Sequence, residues 1–109
     1  MKMKVLDYSI KKRTILHTPF GRATQKAAWL LKEDLGIEAN HPLQPILHEA
    51  ATLALLNRLP INIDTIAFQV SRTPSLLARW ELLRTGDKIG AQVKASLTDW
   101  TEMSAAVRV

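Results

Sequence analysis

Cysteine is absent from this chain of 109 residues, and glycine is scarce, with only four residues. The absence of thiols excludes structural disulfides, thiolate zinc sites and cysteine nucleophiles. The glycines stand apart at positions 21, 36, 86 and 90, which excludes a glycine-rich phosphate-binding loop. No hydrophobic run approaches the roughly 18 residues that cross a membrane, and the first residues lack the apolar core of a signal peptide. We therefore expect a cytoplasmic protein that has no membrane partner.

Motifs of catalysis are missing as well. The segment from His48 to Thr52 begins like the zinc-protease pattern His-Glu-x-x-His, but Thr52 stands where the second histidine ligand is needed. The carboxylates are scattered, and no pair of them has a spacing that indicates acid–base roles. The sequence therefore predicts no enzyme activity, no catalytic or metal-binding residue and no cofactor.

Charge is unevenly distributed along the chain. The formal net charge is +5, with +7 in residues 1–32, −4 in residues 33–71 and +2 in residues 72–109. Basic segments therefore flank an acidic middle, a pattern that lowers the cost of approaching a polyanion such as DNA. A solvated basic surface without any ligand explains the same charges equally well.

The composition is that of an ordinary globular protein, with 47% hydrophobic and 23% charged residues. A chain of this length suits one domain, so we expect residues 1–109 to form a single, mostly α-helical bundle. Two core helices are predicted within residues 18–59, a pair of short helices within 63–84, and a C-terminal dimerisation segment within 88–109.

The two core helices have clear start and stop signals. Thr18 suits an N-cap, Pro19 suits the first helical position, and Gly36 is expected to end the first helix in a left-handed conformation. The second helix is predicted to run from about Pro42 to Arg58. Its apolar stripe is so wide that we expect this helix to form the buried centre of the domain.

The two ends of the chain have less regular patterns. Residues 1–17 form a basic arm, in which Lys4–Ile10 alternates apolar and polar side chains and predicts a short N-terminal strand. Residues 88–95 fit either a wing-like strand or the first turns of a helix, because their apolar residues satisfy both periods.

Residues 63–82 carry the pattern with the clearest functional meaning. Ile66 and Val70 lie on one face of a short predicted helix, and Ala67 provides a small side chain on that face. Thr73-Pro74 makes a favourable start for a second short helix. The sequence thus predicts two amphipathic helices joined by a tight turn.

This arrangement resembles the helix-turn-helix of prokaryotic and phage regulators, in which such helices pack across a tight turn. Leu77 and Trp80 stand at the inward positions of the second helix. Four positions depart from the family pattern. Ser71 replaces the usual glycine of the turn, and Arg72 replaces an apolar residue. On the outward face Leu82 is apolar, and Glu81 is acidic close to it.

The resemblance implies that the second helix enters the major groove of double-stranded DNA. Small outward side chains allow its backbone to approach the bases, and Arg79 can contact guanine through two hydrogen bonds. The residues expected to contact DNA are Gln69, Arg72, Thr73, Ser75, Ala78, Arg79, Leu82 and Arg84. The residues expected to hold phosphates are Lys11, Lys12, Arg13, Arg22 and Lys26.

The resemblance also implies a transcriptional regulator that acts as a homodimer, because one short helix reads few base pairs. The alternative is a protein-interaction module, such as a phage-type inhibitor or an adaptor, that uses an exposed apolar and basic surface. Trp29 lies off the apolar stripe of the first helix and is the candidate contact for a partner or a second copy. Leu82 beside Glu81 discriminates between DNA binding and protein interaction. If the outward face of the second short helix is apolar and packed, that helix cannot be a recognition helix.

Overall fold

A computed structural model of the chain describes residues 18–83 and 86–108, with the backbone alone described for residues 104–108. All regular secondary structure in these residues is α-helical, which confirms the prediction of a mostly α fold. The helices are α1 (Pro19–Leu35), α2 (Gln44–Leu56), α3 (Ile63–Arg72), α4 (Pro74–Leu82) and α5 (Lys88–Arg108). The strand predicted within residues 4–10 lies outside the described residues.

Both predicted ends of α1 are confirmed. The Thr18 hydroxyl accepts a hydrogen bond from the Gly21 amide at 2.9 Å, and Pro19 occupies the first helical position. At the other end Gly36 has a φ of 68°, and its amide donates to the Lys32 carbonyl at 3.1 Å. Glycine suits this position because a side chain strains the left-handed conformation.

Helix α2 lies inside the predicted range Pro42–Arg58 and is shorter than that range at both ends. At its C-terminal end Arg58 has a left-handed φ of 58°. The Leu59 amide donates to the Ala54 carbonyl at 2.8 Å, and the Arg58 amide donates to the Leu55 carbonyl at 3.0 Å. These two bonds form a Schellman motif, which ends the helix before Arg58 is reached.

Residues 88–95 form the first turns of α5, so the wing-like strand is not formed and the helical alternative is correct. The Asp87 carboxylate caps this helix by accepting a hydrogen bond from the Gly90 amide at 2.8 Å. Val93 and Leu97 are both buried in the core. A strand would place Ala91 and Ala95 on the same face as Val93, but both alanines are exposed, so burial follows the helical period.

Helix α2 lies at the centre of the helical bundle. Helix α1 packs on α2 and on no other helix among the described residues, while α3 packs on α2 and α5. The short helix α4 lies against both α2 and α3. The largest fully buried side chains are aliphatic: Leu31, Ile37, Leu43, Ile46, Leu47, Ile66, Val70, Leu76 and Val93. None of the helices in the described part of the chain is long and apolar enough to cross a membrane.

Candidate nucleic-acid interface

The connection between α3 and α4 is a single residue, Thr73. Its backbone is extended, with φ −115° and ψ 98°, and its carbonyl accepts hydrogen bonds from the Leu76 and Leu77 amides at 3.0 Å each. Ser71, the residue at the turn glycine of the family pattern, lies within α3 and has no left-handed backbone. The chain therefore turns at Thr73, and it turns without the glycine conformation that the family pattern uses.

The residues predicted from the sequence to lie on the inward face of α3 do lie there. Ile66, Ala67 and Val70 are fully buried. In α4 the fully buried residue is Leu76, whereas Leu77 and Trp80 are only half-buried against the core. The inward face of α4 is therefore centred on Leu76 and not on the predicted Leu77 and Trp80, because this short helix contacts both α2 and α3.

The outward face of α4 is small and uncharged at its centre. Ser75 and Ala78 are exposed, and Leu82 has 83% of its surface exposed. Glu81 is exposed beside them. Small side chains allow the helix backbone to approach another surface closely, and an exposed leucine favours an apolar contact such as a thymine methyl group or a protein side chain.

Arg79, the predicted guanine contact, lies at the edge of this outward face and is paired. Its Nη1 donates a hydrogen bond to Glu49 Oε1 on α2 at 2.9 Å, with both side chains about half exposed. A partly exposed ion pair of this kind contributes only about 0–1 kcal/mol. Arg79 can therefore exchange Glu49 for another acceptor at low cost, but Glu49 also places a negative charge beside the candidate interface.

Arg72 and Thr73 lie at the junction of the two helices. Arg72 is exposed, and its guanidinium carbon lies 5.4 Å from the centre of the Phe68 ring, which is a cation–π contact. Thr73 is half-buried and forms no side-chain hydrogen bond to cap α4. Arg72 is thus held near the turn with its charge in solvent, while Arg84 lies outside the described residues.

Gln69 does not belong to the surface, and its prediction as a DNA contact is wrong for this conformation. Only 2% of its surface is exposed, and its Nε2 has no hydrogen-bond partner among the described residues. It lies next to the buried Val70 on α3, the helix that contacts α2, α4 and α5. A buried amide without a partner costs about 1–3 kcal/mol of stability.

The predicted phosphate contacts do not form one surface with α4. Arg22 and Lys26 are exposed on α1, on the face turned away from α2. Helix α1 contacts α2 and not α4 among the described residues, so Arg22 and Lys26 do not adjoin α4. Lys11, Lys12 and Arg13 lie outside the described residues.

Histidines in the described residues have structural partners. The His48 ring donates to the Thr24 carbonyl and so joins α2 to α1. The His41 ring accepts a hydrogen bond from the Leu43 amide at 3.0 Å and contacts the Asp87 carboxylate, which joins the start of α2 to the start of α5. No group of three or more metal-ligating side chains occurs in the described part of the chain.

Part of the predicted dimerisation segment is used within the chain. Leu97 is buried, and Trp100 donates its indole N–H to the Asp64 carbonyl of α3 at 3.1 Å. The Trp100 ring also packs on Phe68, with ring centres 4.7 Å apart. These contacts fasten α5 to α3, and Met103, which lies further along the helix, is exposed.

The pairing of Glu49 with Arg79 could not be predicted from the sequence. The two residues are 30 positions apart, and no sequence motif contains both of them.

Comparisons with protein families, with curated proteins and with solved structures found no match to this chain. The function must therefore be inferred from the geometry and chemistry of its own residues.

Proposed function

We propose that the chain binds double-stranded DNA as a helix-turn-helix protein and inserts α4 into the major groove. The observation that carries this proposal is the outward face of α4, where Ser75 and Ala78 are exposed and short. The helix rests on α2 and α3 through the buried Leu76, so its outward face is presented on a fixed support. A short helix with small outward side chains fits the major groove, which admits one α-helix.

In this proposal Arg79 and Ser75 contact base edges, and Arg72 and Thr73 contact phosphates beside the turn. Arg79 first leaves Glu49 and then forms a bidentate contact with guanine, the most common specific contact in the major groove. Leu82 packs on a thymine methyl group at the end of the helix. The contact between Arg72 and Phe68 holds one charge near the backbone and sets the register.

A regulator of this kind acts as a homodimer in our proposal. Two copies of α4 would then lie one helical turn of DNA apart, about 34 Å, and would read a site with two-fold symmetry. Because Leu97 and Trp100 pack on α3, the dimer contact does not use them.

A carboxylate placed on the outward face of α4 tests the proposal directly. Ala78→Glu should lower affinity for duplex DNA at least about tenfold, because like charges in an interface cost several kcal/mol. The matched control is Ala95→Glu, which makes the same change at an exposed position of α5. Fluorescence anisotropy with labelled duplex DNA measures both. Equal affinities of the two variants would show that α4 does not enter the groove.

Leu82 supports a second candidate function, a protein-interaction module. An exposed leucine next to Glu81 is unusual at a DNA surface and ordinary in a protein interface. Leu82→Lys separates the two functions. If α4 enters the groove, the variant should lose the preference for thymine at one position but keep duplex affinity, because the new cation is attracted to phosphates. If Leu82 packs on a protein, the variant should weaken that protein contact and leave the DNA sequence preference unchanged.

A further inference from the structure

Trp29 stands apart from the other two tryptophans of the chain. It has 61% of its surface exposed, whereas Trp80 and Trp100 pack against the core. Helix α1 packs on α2 through a buried stripe that includes Ala27 and Leu31. Trp29 lies roughly 160° around the helix from Ala27, so its ring points away from α2 and toward solvent.

Basic side chains surround this indole. Lys26 and Lys32 are three residues before and after Trp29, which places one on each adjacent turn of the same face. Both are exposed, and neither is paired with a carboxylate in the described part of the chain. Arg22 lies two turns earlier on this face, and Glu33 is the one acidic residue near its centre. These five residues define the Trp29 face.

We propose that the Trp29 face binds an acidic peptide segment of another protein, with Trp29 packed on an apolar residue of that segment. Tryptophan and arginine are the residues that most often dominate the energy of protein interfaces. The surplus of positive charge around Trp29 requires a partner rich in aspartate or glutamate, because complementary charge governs partner choice and association rate.

The same charges argue against the other occupants. Two copies of this chain joined through the Trp29 face would oppose cations with cations, which is unfavourable. A lipid bilayer is a poor fit, since one tryptophan offers too little apolar area for insertion. Duplex DNA gives Trp29 no exposed base to stack on, and α4 lies against α2 and α3 while the Trp29 face points away from α2. An acidic peptide uses both the indole and the cations.

This inference is independent of the proposed DNA binding because it uses no residue of α4, and because the DNA contact proposed for α4 uses neither Arg22 nor Lys26. A protein that binds DNA through α4 would keep the Trp29 face available for a second partner. Each proposal can therefore fail without affecting the other, and variants of α1 and α4 distinguish them.

The test is selection of a phage-displayed library of random dodecapeptides against the full chain, followed by fluorescence anisotropy with the enriched peptides. We expect enriched sequences that combine several acidic residues with one large apolar residue. Trp29→Ala should weaken their binding about tenfold or more. Lys26→Glu combined with Lys32→Glu should do the same, and binding to the unaltered chain should weaken as salt is added.

Matched variants guard against an effect on folding or on overall charge. Met103→Ala removes another exposed apolar side chain, and Lys94→Glu reverses another exposed charge on α5, so both should keep full peptide binding. Circular dichroism verifies that all variants stay folded. Failure to enrich acidic peptides, or equal peptide affinity for Trp29→Ala and Met103→Ala, would overturn the proposal. Stronger Trp29-dependent binding of oligothymidine or of phosphatidylserine vesicles would also overturn it.

Discussion

Helices α1 and α4 both rest on α2, yet they present very different surfaces to solvent. The outer face of α1 carries Lys26 and Lys32 around the exposed Trp29. The outer face of α4 carries Ser75 and Ala78 and has no cation at its centre. The cluster of cations around Trp29 and the small outward side chains proposed to meet DNA therefore lie on two different helices.

This separation shows why net charge is a poor guide to a binding surface. The chain is basic as a whole, with a net charge of +5, but α4 is flanked by the carboxylates of Glu49 and Glu81. Attraction to phosphates scales with the cations that reach them and not with the charge of the whole protein. We thus expect duplex binding through α4 to depend on a few contacts, and acidic partners to prefer α1.

The largest expected effect concerns the buried side of α4. Leu76→Ala should lower the free energy of unfolding by about 2–5 kcal/mol, because Leu76 is fully buried and its removal leaves a cavity. Leu82→Ala is the matched change on the exposed side and should alter stability by less than about 0.5 kcal/mol. Urea denaturation followed by circular dichroism measures both. Similar losses in the two variants would mean that Leu82 is packed in solution.

A smaller effect is expected for the ion pair beside α4. Arg79→Ala should weaken specific duplex binding by about 1–3 kcal/mol and relax the preference at one base position. Glu49→Gln breaks the same ion pair but keeps the arginine, so it should strengthen duplex binding. Anisotropy titrations of both variants separate the role of Arg79 in DNA contact from its role in the fold. Weaker binding in both variants would indicate that the pair itself supports the structure.

The smallest effect on stability is expected for Gln69, the buried amide of α3. Gln69→Leu should raise the free energy of unfolding by about 1 kcal/mol, because it replaces a buried amide that lacks a partner with an apolar side chain of similar size. Gln92→Leu makes the same substitution at an exposed position of α5 and should change stability little. Thermal denaturation detects the difference. A clear loss of stability in Gln69→Leu would show that the amide makes a bond in solution.

Local signals in the sequence were sufficient for the parts of the fold that depend on neighbouring residues. The cap at Thr18 and the left-handed Gly36 fixed α1, and the Thr73-Pro74 pair marked the start of α4. Each of these features depends on three or four consecutive residues, because a helix cap is formed by hydrogen bonds between neighbours in the chain. Both ends of α1 and the start of α4 were therefore predictable from the sequence.

Features that depend on distant residues were not predictable in the same way. The apolar residues of segment 88–95 satisfy both the strand and the helix period, and only the burial of Val93 beside the exposed Ala91 and Ala95 distinguishes them. The helix-turn-helix resemblance predicts Gln69 as a DNA contact, but its side chain is buried on α3, which contacts α2, α4 and α5. The pairing of Arg79 with Glu49 joins residues 30 positions apart. Only the packing of helices brings such residues together.

The measurement that tests the role of α4 most directly is binding of the full chain to labelled random duplex DNA at increasing salt, followed by sequencing of the duplexes it enriches. We predict binding at low salt that weakens as salt is added, and an enriched motif with two-fold symmetry that Ala78→Glu abolishes. Absence of binding even at low salt would contradict DNA recognition by α4, because attraction to phosphates alone is strongest there.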